Sequence, residues 1–222
     1  MDIAFGLTVP RTLEDVCNAR DMALLVYDMQ VGIVSQVKGG EAIVARVRAV
    51  LELARDAGLR VVYTRHTSLP RELMGSFQYR TAMAWQRVDR PDQVKSRFVR
   101  GSPDVEIVQA LSPLPSEAVF DKITMSAFEG TPLDIVLRDC GVRAVAIAGL
   151  AMEIGIEPTA RHAADLGIIP VVVTDACGFG NEEAATRSVA SLKFAGDTIL
   201  TDVAALRQLL RDGEPEERKR QS

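Results

Sequence analysis

Asp28 closes the apolar run Ala23-Leu24-Leu25-Val26-Tyr27, and Lys122 closes Ala118-Val119-Phe120-Asp121. A carboxylate and an ammonium at the ends of two strands can meet in one cleft. Once close, each shifts the other's proton affinity, which is the chemistry of a proton-transfer pair. A third feature is the stretch Leu150-Ala151-Met152-Glu153-Ile154-Gly155, which follows the run Val142–Gly149 and precedes a helical pattern. Backbone N–H groups and the positive end of a helix dipole converge on such a turn, so it suits a nucleophile or an anion. Gly155 has no side chain, so the pattern points away from a covalent intermediate at this position. Glu153 is positioned to act as a second acid/base or to orient an attacking water. Its alternative is a charge that supports the helix start.

Other residues at strand ends are candidates for substrate contact. Gln30 has a donor and an acceptor for a polar substrate group or for the backbone. Arg65 ends the run Leu59–Arg65 and His66 follows it, and a basic stretch runs on from there to residue 100, with Trp85, Phe77 and Tyr79 interleaved. Beside a cleft, such a stretch suits an anionic, partly apolar small molecule, with Trp85 as its aromatic anchor. For most of these arginines, a solvated or subunit-facing surface is the simpler expectation. Asp175 ends a further run. Cys177 follows it, and is read either as a displaced nucleophile or, more simply, as a small buried residue.

The elements that must position these groups alternate. Strands are predicted at Ala23–Asp28, Leu59–Arg65, Ala118–Lys122, Arg143–Leu150, Ile168–Asp175 and Asp197–Thr201. Helices are predicted at Glu41–Ala57, Pro103–Leu111, Pro132–Asp139, Pro158–Leu166 and Glu182–Phe194, with a last one capped by Asp202 and running to Leu210. Residues 65–100 read as mostly irregular. The strands are continuous apolar runs, the mark of a parallel sheet covered on both faces. The fold class is therefore α/β: a three-layer α/β/α sandwich around a mostly parallel, doubly wound, Rossmann-like sheet of about six strands. One domain is expected over 1–212, with a polar C-terminal tail at 213–222.

Composition sets outer limits. The net charge is −4, which argues against a nucleic-acid or anionic-membrane partner. Three widely spaced cysteines without a Cys-x-x-Cys pair suggest neither a disulfide framework nor a zinc site. Two histidines limit metal chemistry, so no metal and no cofactor are expected. No apolar window approaches a membrane span, no signal peptide is evident, and a cytoplasmic location is expected.

Asp28-Met29-Gln30, the segment Lys122 to Leu133 with Ser126-Ala127-Phe128, and Gly149–Ala160 with Asp175-Ala176 occur in an order and spacing that resemble the isochorismatase-like hydrolases. The resemblance covers about Ala23 to Gly178. It implies an Asp–Lys–Cys triad in which Asp28 and Lys122 are matched and Gly155 stands at the cysteine position. A minority of that family, the true isochorismatases, also has glycine there and hydrolyses a vinyl ether without a covalent enzyme intermediate. The chain departs from them at Ala151 and Glu153, where they carry an aromatic and a histidine. The resemblance also implies a cis peptide near Leu150–Ala151, substrate contacts from Phe128, Leu150 and Ala151, and a homodimer or homotetramer. The functional expectation is non-covalent acid/base hydrolysis of a small, anionic molecule. In it Asp28 is the acid/base, Lys122 supports charge, and a water takes the place of the thiol. Two alternatives are a Cys-dependent amidohydrolase using Cys177 and a non-catalytic small-molecule-binding relative.

Overall fold

The computed structural model describes residues 2–212. A six-stranded, all-parallel sheet forms its centre: β3 (Met22–Tyr27), β4 (Arg60–His66), β5 (Ala118–Lys122), β6 (Ala144–Gly149), β7 (Ile169–Cys177) and β8 (Ile199–Thr201), in the order β5-β4-β3-β6-β7-β8. Every residue of β3 and of β6 is buried, as continuous apolar runs require of central parallel strands. From β3 the chain winds outward through β4 to β5, then returns to β6 and winds the other way. The reversal falls between β3 and β6, where open α/β sheets bind ligands beyond the carboxyl ends of the strands.

Side-chain alternation along β3 divides the interior into two layers. Met22, Leu24 and Val26 join a core under α2 (Gly40–Asp56) and α7 (Val203–Asp212), with Val47, Val50, Leu51, Ala54, Leu206 and Leu210. Ala23, Leu25 and Tyr27 face the other layer, under α4 (Leu133–Asp139), α5 (Glu157–Asp165) and α6 (Glu182–Ala195), with Leu133, Leu137, Ile156, Ala160 and Leu192. The expected three-layer sandwich is the observed one.

Several expectations need correction. No single helix forms over Pro103–Leu111. Two short 3₁₀ turns, Pro103–Val105 and Gln109–Leu111, stand in its place. The residues between them are drawn into backbone pairing with the segment after β3: Val31 N–H donates to Glu106 O, and Val108 N–H donates to Met29 O. The stretch 65–100 contains an 11-residue helix, α3 (Ser76–Gln86), none of whose residues is buried. β7 continues past Asp175 to Cys177. A one-turn helix α1 (Val31–Val34) follows Gln30, and an unforeseen hairpin, β1 (Asp2–Ala4) with β2 (Leu7–Val9), precedes the sheet. Asp202 does cap α7, accepting from Ala205 N–H at 2.8 Å. The polar tail at 213–222 lies outside the described residues.

Candidate active site

Asp28 leaves β3 with a left-handed backbone, φ 48°, a conformation that asparagine and aspartate tolerate better than most residues. Its carboxylate thereby stays over the end of the sheet. Lys122 reaches it from the end of β5, with Nζ 2.6 Å from Asp28 Oδ2. The side chains are 1% and 6% exposed, so both charges are withdrawn from water. Each is further tied down: Thr64 Oγ1 donates to Asp28 Oδ1 at 2.7 Å, and Lys122 Nζ donates to Thr124 O at 3.1 Å. The Tyr27 ring offers its face to the ammonium, with Nζ 4.4 Å from the centroid.

The turn after β6 supplies the third wall. The Leu150–Ala151 peptide is cis. A single π-helical turn, Met152–Ile156, then runs directly into α5. β6 can end this close to β3 because residue 149 is glycine: its φ is 142°, and a Cβ there would overlap the Tyr27 carbonyl. The expected water in the thiol's place must be corrected. The space facing Gly155 is filled by the Tyr27 phenol, and a Cβ added at 155 would overlap Tyr27 Oη, Cζ and Cε1. The same phenol donates a hydrogen bond to Met125 O. Burial, with the neighbouring Asp28 charge, pushes the phenol well above its ordinary range, so it stays neutral.

Other candidates fall into two groups. His66 and Trp85 line a cavity of about 150 Å³ together with Phe77, Phe98, Lys95 and Arg97. His66 packs edge-on to both Trp85 and Phe98, with centroids 6.3 and 6.0 Å away. Burial lowers its pKa below 6.5, and Asp28 and Lys122 act on it in opposite senses, so it is held as neutral imidazole within electrostatic reach of the pair. Ile123 and Met125, on the loop that follows Lys122, line the same cavity.

The second group serves the scaffold. Gln30 spends its amide on backbone, donating to His66 O and Val105 O and accepting from His66 N–H. Arg65 points to the sheet edge and pairs with Asp121 at 2.7 Å. Phe128 packs against His162 in the α5 layer, with ring centroids 5.6 Å apart. Leu150 is buried, and Ala151 accepts the N–H groups that open the π-helical turn. Glu153 Oε1 accepts from Gly180 and Asn181 N–H, both at 2.8 Å, which ties the turn to the loop after β7. Asp175 pairs with Arg46 and accepts from Val203 N–H, on the α2–α7 side. Cys177 Sγ lies 3.6 Å from Ile147 O, and burial pushes its thiol up to about 12, which removes the thiolate needed for attack. Among the described residues, no group of three or more His, Cys, Asp or Glu side chains could hold a metal ion. No described helix is long and apolar enough to cross a membrane.

Residue-by-residue reading missed Tyr27, Thr64, Phe98 and Met125. The period of 2 in β3 does put Tyr27 on the α5 face, but only the packed turn shows what it meets.

Known proteins share this fold and part of this sequence. The model of the isochorismatase domain matches residues 22–204. A ureidoacrylate amidohydrolase RutB of Methylorubrum extorquens is 27% identical over 187 residues, covering 77% of this chain and 75% of the relative. The crystal structure of a cysteine hydrolase from Pseudomonas syringae pv. phaseolicola superposes with a TM-score of 0.74 at 26% identity, covering 89% of this chain and 95% of that one. An isochorismatase family protein from Desulfovibrio vulgaris gives 0.73 at 26% identity, covering 86% and 99%. With the domain matched along most of its length and the doubly wound sheet in place, the chain belongs to the isochorismatase family and is an isochorismatase-like hydrolase.

Proposed function

We propose that the protein adds water across a C–N bond of a small, anionic, partly apolar molecule, without a covalent enzyme intermediate. The buried Asp28–Lys122 pair carries this reading. Withdrawing two charges from water costs several kcal/mol per ion, and a well-packed apolar pair would serve stability as well. Such a pair set beside a cavity is where proton chemistry is found. Asp28 takes a proton from the attacking water and returns it to the leaving nitrogen. Lys122 balances the charge that develops, and Lys95 and Arg97 attract a substrate anion to the aromatic cavity. The relatives named ureidoacrylate amidohydrolase favour a ureido or amide carbon as the centre attacked. Cys177 is unsuited to a thiol route because its sulfur is enclosed and its thiol stays protonated.

A second reading, ligand binding without turnover, is favoured by one observation: neither Asp28 nor Lys122 lines the cavity. A panel of ureido acids, carboxylate-bearing amides and enol ethers, followed by product formation, separates the two. Asp28→Asn is expected to lower turnover about 10²-fold or more while leaving ligand affinity within a few-fold. Iodoacetamide should leave the rate unchanged. Equal turnover in Asp28→Asn, or loss of activity on alkylation, would defeat the proposal. Binding without product across the panel would establish the second reading.

A further inference from the structure

Tyr27 and residue 155 compete for one volume. Tyr27 is the last residue of β3 and is 2% exposed. Its ring crosses beneath the π-helical turn, so that even the first side-chain carbon at 155 would overlap the phenol oxygen and two ring carbons. The phenol is fixed there by its bond to Met125 O, and its face supports Lys122, which has only two hydrogen-bond partners among the described residues, Asp28 Oδ2 and Thr124 O. The backbone at Gly155 does not itself demand glycine, because φ is not in the left-handed range there. A side chain at 155 is therefore excluded by Tyr27 where it stands, and by no demand of the local backbone.

We propose that Tyr27 is a positioning and specificity-determining residue: its phenol occupies the place from which a side chain at 155 would address the Asp28–Lys122 pair, and so restricts the site to chemistry without an enzyme-bound intermediate. This deepens the reading of a water-driven hydrolase, yet its test needs no natural substrate. A thiol introduced at 155, once Tyr27 is shortened, would lie beside an ammonium that favours its thiolate and a carboxylate that can accept its proton.

The first arm is a melting cycle with the full chain. Glycine to alanine inside a helical turn ordinarily stabilises, because it restricts the unfolded chain. Here Gly155→Ala is expected to lower the melting temperature by about 5 °C or more, as overpacking does in a domain of this size. In a Tyr27→Val background the same change should raise it or leave it unaltered. A Gly155→Ala variant as stable as the wild type, or an equal loss in both backgrounds, overturns the proposal.

The second arm reads chemistry. Tyr27→Val/Gly155→Cys is offered p-nitrophenyl acetate. The thiolate attacks the acetyl carbon, a C–S bond forms, the C–O bond to p-nitrophenolate breaks, and p-nitrophenolate leaves with its electron pair. A stoichiometric burst of p-nitrophenolate is expected, with one acetyl group of added mass on the thiol introduced at position 155. The wild type and Tyr27→Val should show neither. A folded double variant without the burst overturns the claim that Tyr27 holds the place facing the pair. So does a burst of equal size from Gly155→Cys alone. Because neither arm requires Asp28-dependent turnover, failure here is separable from failure of the hydrolase reading.

Discussion

Lys122 draws on three groups: the Asp28 carboxylate, the Thr124 carbonyl and the face of Tyr27. Removing one partner of a buried pair leaves the other charged and stranded. Lys122→Met is therefore expected to cost about 3–5 kcal/mol in chemical denaturation, and adding Asp28→Asn should recover much of it. A loss below about 1 kcal/mol would mean that water reaches the pair. His66 gives a pH signature with a definite sign. Burial, partly opposed by Asp28 and reinforced by Lys122, holds its pKa below 6.5, so the unfolded chain binds the proton more tightly than the folded one. Its stabilising contribution is complete above about 6.5 and is lost as pH falls below that value. The wild type should consequently lose more melting temperature than His66→Gln between about pH 7 and pH 5. Parallel profiles would show that His66 takes up its proton freely.

Among the elements, the π-helical turn and the loop after β7 are held as one unit by Glu153 and Asn181. Glu153 accepts two loop N–H groups, and Asn181 caps α6 by accepting from Ala184 N–H. Asn181→Ala is expected to cost about 1 kcal/mol, as lost caps do. Glu153→Ala should add to it less than its separate value, since both act on the same segment. Helix α3 has a different character. Trp85 is 52% exposed and leans over His66 at the cavity. Trp85→Ala should weaken binding of an anionic aromatic probe about tenfold, the scale of a lost aromatic contact, with little change in melting temperature. A large fall in stability with unchanged binding would reassign α3 to the scaffold.

At the scale of the molecule, the sheet is a partition between two apolar layers; Asp28 sits at the switch point, where the two windings diverge, and Lys122 reaches it from the end of the edge strand β5. The α2–α7 layer depends on the last helix, whose Leu206 and Leu210 are buried among residues of α2 and β7. Leu206→Ala is expected to cost about 2–4 kcal/mol in urea unfolding and to leave the Asp28–Lys122 pair, which Leu206 does not touch through any hydrogen bond or ion pair, undisturbed. A loss of ligand binding equal to that of Asp28→Asn would show that the two layers are coupled.

Periodicity and strand-end chemistry made most of this legible in the chain. Continuous apolar runs alternating with helical patterns point to a parallel sheet covered on both faces, and they place Asp28 and Lys122 at strand ends, where the two can meet; that they do meet is decided by the fold. The missing side chain at Gly155 is likewise visible in the sequence alone. Roles that depend on what lies opposite were not legible. Gln30 and Arg65 have the right chemistry for a substrate, yet one braces backbone and the other pairs with Asp121, because a strand-end side chain bonds whatever the neighbouring strand presents. The 103–111 segment has a helical pattern, but pairing with the residues after β3 holds its middle extended. Tyr27 shows the division most clearly. Alternation assigns its face, but the filling of the space at 155 arises only when β3 and β6 come close enough for their ends to share one volume, and non-local packing alone brings them there.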